Sequence, residues 1–250
     1  MHLRNMKTLD AYLTAAGEMH GEVELAHPTW MSLLRQTDAL WREELFVPAP
    51  KIGPVAYLLM VQAYYFWLAG VRTTLSGHAT AAFPQLRTGL ESACYAYLVV
   101  AQPELATVWM ERDSDEARAK LFRKHFTQAP STVAKQLASA GNLGALINDV
   151  YNAAITFGGH PNPRALFEHL RVAEQADAFE LSFSAIDNVN AATTIRALVA
   201  AVEHGYLSLV VCANAFGGHP RAASLQARVD ALCEAKDAAV EAYTQRGLVC

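Results

Sequence analysis

Apolar residues recur along this chain at the three- and four-residue spacing of an α-helix, and runs alternating with a period of two are scarce. A first amphipathic helix reads from Thr8 to His20. Pro28 opens a second that continues to about Leu45, where Val47-Pro48-Ala49-Pro50 breaks it. A third, from about Pro54 to Ser76, stops at Gly77. A fourth is expected from about Pro84 to Gln102, ahead of Pro103. Glu111 to His125 is the one charge-dense stretch, with Glu116 and Lys120 spaced i,i+4, and reads as an exposed helix. Ser131 caps a short helix to Ala140, and Asn142 to Phe157 forms the next, closed by Gly158-Gly159. Asn162-Pro163 has the cap-then-first-turn signature of a helix to about Ala173. Ala178 to Asp187 alternates weakly and reads as a loop or a short strand. Two long helices follow, about Val189 to Phe216 and Ala222 to Thr244. The expected fold is all-α, an antiparallel bundle of about eight to ten helices in a single domain over residues 1–250. Residues 1–50 form an N-terminal helical extension in this reading, and 51–250 the main bundle.

Ile52 to Val71 has no charge between Lys51 and Arg72, and twenty such residues meet the length of a membrane span. The segment also holds Gln62, three tyrosines and Gly53-Pro54. The other long apolar helices carry charges, Arg87 and Glu91 in one, Arg196 and Glu203 in another. It therefore reads as a core helix buried all round, with no membrane involved.

Composition sharpens this picture. Hydrophobic residues make up 52% and charged residues 18%, against about 25% charged in a usual soluble domain. The surplus apolar surface has to be covered, which points to a homodimer. The best candidate surfaces are the Ile52 to Val71 and Ile195 to Phe216 helices. The net charge of −4 lacks the basic footprint of a nucleic-acid binder. Cys94, Cys212, Cys233 and Cys250 form no C-x-x-C pair and read as thiols of a reducing compartment. Met1 to Asp10 lacks an apolar signal core, so the expected location is the cytoplasm.

Two constellations are candidates for chemistry. Arg87, Glu91 and Tyr95 lie on one stripe of one helix, and the two charges are the only ones between Gly77 and Gln102. Burial forces them to pair, either as a structural salt bridge or as a polar pocket in which Arg87 binds an anion and Glu91 orients it. The second is three Gly-His steps, at His78, His160 and His219, each after a long apolar helix. Helix capping by a left-handed glycine accounts for all three. If the helices alternate up and down, however, the three imidazoles fall at one end of the bundle, as a metal site would need. No H-E-x-x-H, G-x-S-x-G or phosphate loop is present, and no cofactor is expected.

Around Arg87-Thr-Gly-Leu-Glu-Ser the chain resembles a class of bacterial helical proteins related to the HEPN-like families. There a helix carries Arg, Leu-Glu and then an aromatic, here Arg87, Leu90, Glu91 and Tyr95. A later helix carries Tyr, a small hydroxyl residue and His-Pro-Asn, here Tyr151, Thr156, His160, Pro161 and Asn162. The likeness covers about residues 87–164, and it departs at Gly158-Gly159, where aliphatic residues are usual. It implies an alternative function, a metal-independent ribonuclease of a defence or toxin system. Arg164 to His169 and Arg118 to His125 have the Arg-to-His spacing of such enzymes, but Ala165 and Ala119 stand where a polar residue is usual. The leading expectation is a bundle that binds a small molecule or protein partner through Arg87, Glu91, Tyr95 and His160. A metal-dependent hydrolase using His78, His160 and His219 is a further alternative.

Overall fold

A computed structural model of the chain describes residues 8–47, 51–139, 141–159, 163, 167, 170–175, 178–216 and 222–248. Local chemistry sets several helix starts. Thr8, in extended geometry, accepts the Ala11 N–H at 3.2 Å and starts α1 (Leu9–Ala26). Pro28 stands in the first turn of α2 (Pro28–Ala39), which runs on as a π turn, Leu40–Leu45. Pro54 does the same for α3 (Pro54–Leu75), and Gly77, with φ of 78°, turns the chain into α4 (Ala79–Ala101). The short α5 (Leu105–Met110) precedes α6 (Glu116–Phe126), whose N-cap Asp115 accepts the Arg118 N–H at 2.8 Å. Then come α7 (Ala129–Gln136) and α8 (Leu143–Ala154), the latter extended by a second π turn, Ile155–Gly159. Last are α9 (Ala192–Ala215) and α10 (Ala222–Gln245).

The fold is therefore an all-α helical bundle, with ten α-helices among the described residues. Three local readings change. The segment expected as a helix to Ala173 is helical at Pro163 and Phe167, but its end belongs to β1 (Leu170–Gln175), which pairs with β2 (Ala178–Phe183), antiparallel, Leu170 opposite Phe183. α4 starts five residues before Pro84, and α7 starts at Ala129 rather than Ser131. The helix α5 was not foreseen.

α3 and α4 form a tight antiparallel hairpin. A Cβ on Gly70 would meet Leu86 Cδ2 at 2.5 Å, and one on Gly89 would meet the Ala63 carbonyl at 3.1 Å, so glycine lets the two axes approach. α9 lies in the groove between this hairpin and α2. Trp67 Nε1 donates to the Ala201 carbonyl at 2.7 Å and Trp41 Nε1 to that of Gly205 at 3.1 Å. Gly205 has no room for a methyl, since a Cβ would stand 2.4 Å from Trp67 Nε1.

Both α3 and α9 are long and apolar enough to cross a membrane, but they differ in cover: over the apolar 18-residue stretch of each, 78% of α9 is buried inside the bundle against 39% of α3. The helix buried nearly all round is therefore α9, not α3. It is core and offers no subunit surface, contrary to the expectation for Ile195 to Phe216. α3 is two-faced: Leu59, Met60, Ala63 and Trp67 point inward, while Leu58 and Tyr65 are 61% and 63% exposed.

Residues 1–50, expected as an extension, contribute Trp30 and Trp41, both fully buried, to the same cluster as α3, α4 and α9. α10 closes over α2. Buried His27 donates from Nε2 to the Val189 carbonyl at 2.8 Å and accepts from Tyr243 Oη at Nδ1, 2.9 Å. Arg228 reaches Glu44 at 2.7 Å and Glu43 at 3.1 Å.

Candidate functional site

The expected stripe exists on α4, and α8 supplies its partner. Arg87 Nε stands 3.5 Å from Glu91 Oε1, and the side chains are 20% and 24% exposed. The pair thus forms, at the rim of the core rather than deep within it. Tyr151 of α8 donates to the same Glu91 Oε1 at 2.9 Å. Burial, with Glu91 next, pushes the Tyr151 and Tyr95 phenols up to about 12, so both stay protonated donors at neutral pH. Arg87 Nε is itself buried and makes no hydrogen bond, because at 3.5 Å the nearest carboxylate oxygen lies beyond the usual hydrogen-bond distance.

Tyr95, one turn beyond Glu91, packs edge-on against Phe126 with ring centroids 4.8 Å apart, and Phe122 stacks on Phe126. Arg112 lies over Phe122 and Trp109, at 5.6 and 5.3 Å. The upper edge of the site is the π turn after α8. Its Phe157 packs on Phe83 and lies beneath the Arg196 guanidinium, 4.5 Å away. Gly158 sits against the Thr80 carbonyl, where a Cβ would come within 2.1 Å. Pro84 has no N–H to give that carbonyl, its regular i−4 acceptor. The Phe-Gly pair is thus explained by close packing against α4, and Gly158, with φ of 174°, is extended rather than left-handed.

The histidines divide. His160 and His219 lie outside the described residues. His78 is occupied: Ser76 gives its hydroxyl proton to the Arg72 and Thr73 carbonyls, so His78 Nδ1 donates to Ser76 Oγ at 3.1 Å. Nε2 then accepts from Tyr12. His78 ties α1 to the α3–α4 turn, and a metal would have to displace Tyr12. Among the described residues, no group of three His, Cys, Asp or Glu is placed to hold a metal. Cys94 and Cys212 are fully buried and Cys233 half-buried, all three free, and burial raises each thiol.

Sequence reasoning placed Arg87, Glu91 and Tyr95 on one stripe and named Tyr151 through resemblance only. It missed Arg196 and Phe157. The available signal was Arg196 as one of two charges in an otherwise apolar helix. Compared with models of protein families, with curated proteins and with solved structures, the chain matches none. Fold and site together define an all-α bundle with a half-buried Arg–Glu–Tyr cluster at one edge.

Proposed function

We propose that the protein is a non-catalytic helical bundle that binds a small anionic ligand at Arg87, with Glu91, Tyr95 and Tyr151 as its polar surround. One observation carries the reading. Arg87 keeps a buried donor without an acceptor, an arrangement that is unfavourable until something supplies one. A ligand carboxylate or phosphate does so, since guanidinium geometry suits both. Glu91, held by Tyr151, fixes the orientation of the guanidinium. His160, expected as a fourth member, lies outside the described residues.

The test is thermal melting and calorimetry with inorganic phosphate, nucleoside monophosphates and small dicarboxylates. At least one is expected to raise the melting temperature saturably, and Arg87→Gln to abolish the effect. A panel without effect at millimolar concentration, or a shift that survives Arg87→Gln, refutes the reading.

One observation favours the HEPN-like ribonuclease as a second reading. The Tyr151–Glu91 hydrogen bond joins the two segments that carry the resemblance. RNA cleavage that persists in chelator and is lost in Arg87→Gln would establish it. Cleavage abolished by chelator would instead favour the hydrolase of His78, His160 and His219, against which the bonding of both His78 ring nitrogens weighs. The free, buried thiols support a reducing compartment, the cytoplasm. The exposed apolar face of α3 supports a homodimer.

A further inference from the structure

We propose that the cleft between the start of α3 and the end of α4 binds a medium-chain aliphatic carboxylate, with its tail inside and its head at Lys51. The cavity measures about 420 Å³, a size suited to a small ligand. Ile52, Val55, Val99, Val100, Pro103 and Ala106 line it. Among the described residues, Lys51 is the only lining residue with a polar side chain, and it is exposed. Among the described residues it has no ion-pair partner. Glu104, next to Pro103, is exposed and outside the lining.

The shape and the charge select the ligand together. Walls without a donor or acceptor on their side chains recognise nothing but hydrocarbon. A lone cation at the mouth recognises an anionic end. The backbone adds to it: α3 opens at the lining residues Gly53 and Pro54, its N-cap has no side-chain hydrogen bond, and its first turn has no acidic residue. The positive end of the helix dipole is therefore not offset locally. An amphiphile with one carboxylate meets both demands, whereas a polyanion leaves the cavity empty.

This site is separate from Arg87, which lies twelve residues before Val99 on α4, about 18 Å along the axis. Failure of either proposal leaves the other standing.

The experiment is calorimetric titration with hexanoate, octanoate and decanoate, below their micelle concentrations, and with decanol. Affinity is expected to rise about fourfold per methylene until the cavity is full. Lys51→Glu, a surface change, is expected to weaken decanoate by about fivefold or more and to leave decanol within about twofold. Ala106→Trp is expected to abolish binding of both, with circular dichroism confirming that it folds. Arg87→Gln is expected to leave decanoate binding intact. Absence of binding, affinity independent of chain length, or equal effects of Lys51→Glu on acid and alcohol overturns the proposal. The Lys51 comparison decides the matter even if Ala106→Trp does not fold. Loss of decanoate binding in Arg87→Gln would move the ligand to the other site and overturn it too.

Discussion

His204 lies in the middle of α9 and is 2% exposed. Its Nδ1 donates to the Ala200 carbonyl at 2.8 Å, and its Nε2 is buried without a hydrogen bond. A proton on Nε2 would place a charge in the core with no acceptor, so burial lowers the histidine from 6.5 to about 4. The unfolded chain takes the proton first, near pH 6.5, while the folded chain resists it until about pH 4. His204 therefore leaves stability intact above pH 6.5 and lowers it as the pH falls toward 4. Over the whole window the loss is about 3 kcal/mol, and between pH 7.5 and pH 5 it is about 2 kcal/mol. Carboxylates, with unfolded values near 4, contribute little in that upper range. The assay is denaturant unfolding of the native chain and of His204→Leu at several pH values from 7.5 to 5. Leucine is close in volume and removes the unmet acceptor, so at pH 7.5 the variant stays within about 1.5 kcal/mol of the native protein. The difference between the two is expected to move in the variant's favour by about 2 kcal/mol by pH 5. Other titrating groups cancel in it. Parallel stability profiles would refute the reasoning.

Glu91→Ala removes the Tyr151 hydrogen bond and the partly buried Arg87 pair, and is expected to destabilise by about 1–2 kcal/mol; a denaturant shift above 3 kcal/mol would place the pair deeper than its exposure indicates. Gly205→Ala forces a methyl onto the Trp67 indole and is expected to lower stability by about 3 kcal/mol, whereas a change under 1 kcal/mol in the same melts would show that the α9 groove yields. Light scattering after size exclusion at micromolar concentration is expected to give twice the 27.2 kDa chain mass, with Tyr65→Glu returning the single-chain value. A native single-chain species removes the dimer, and a native protein soluble only in detergent transfers the α3 face to a lipid surface.

Helix positions were readable where a residue acts alone on the backbone. Pro28 and Pro54 mark first turns, Gly77 takes the left-handed turn, and Thr8 caps with its own side chain. The cap Asp115 was not read, and the charge-dense helix starts at Glu116 rather than Glu111. Pro84 misled because proline is tolerated early in a helix when something else packs on the carbonyl it cannot serve, and Gly158, seventy-four residues away, does so. The β1–β2 pairing depends on cross-strand partners that Asn162-Pro163 does not announce. Which apolar helix is covered all round could not be read from composition, since α3 and α9 are alike in it. The distinction comes from the two indoles and the glycine that seat α9. At the site, i,i+4 spacing made the Arg87–Glu91 pair legible. Tyr151 and Phe157 reach it through tertiary packing.

The seating of α9 also has a consequence for how the chain is made. Its groove is built by α2, α3 and α4, all of which leave the ribosome long before Gly205 and Ala201 arrive to meet Trp41 and Trp67. At ordinary translation speeds the α3–α4 hairpin waits on the order of ten seconds with its inner face uncovered. Contacts this distant in sequence also close slowly after release. During synthesis the nascent chain therefore exposes the very surface that the finished protein hides most completely. Demand for a holding chaperone should peak while residues 100–200 are being added and fall once α9 docks.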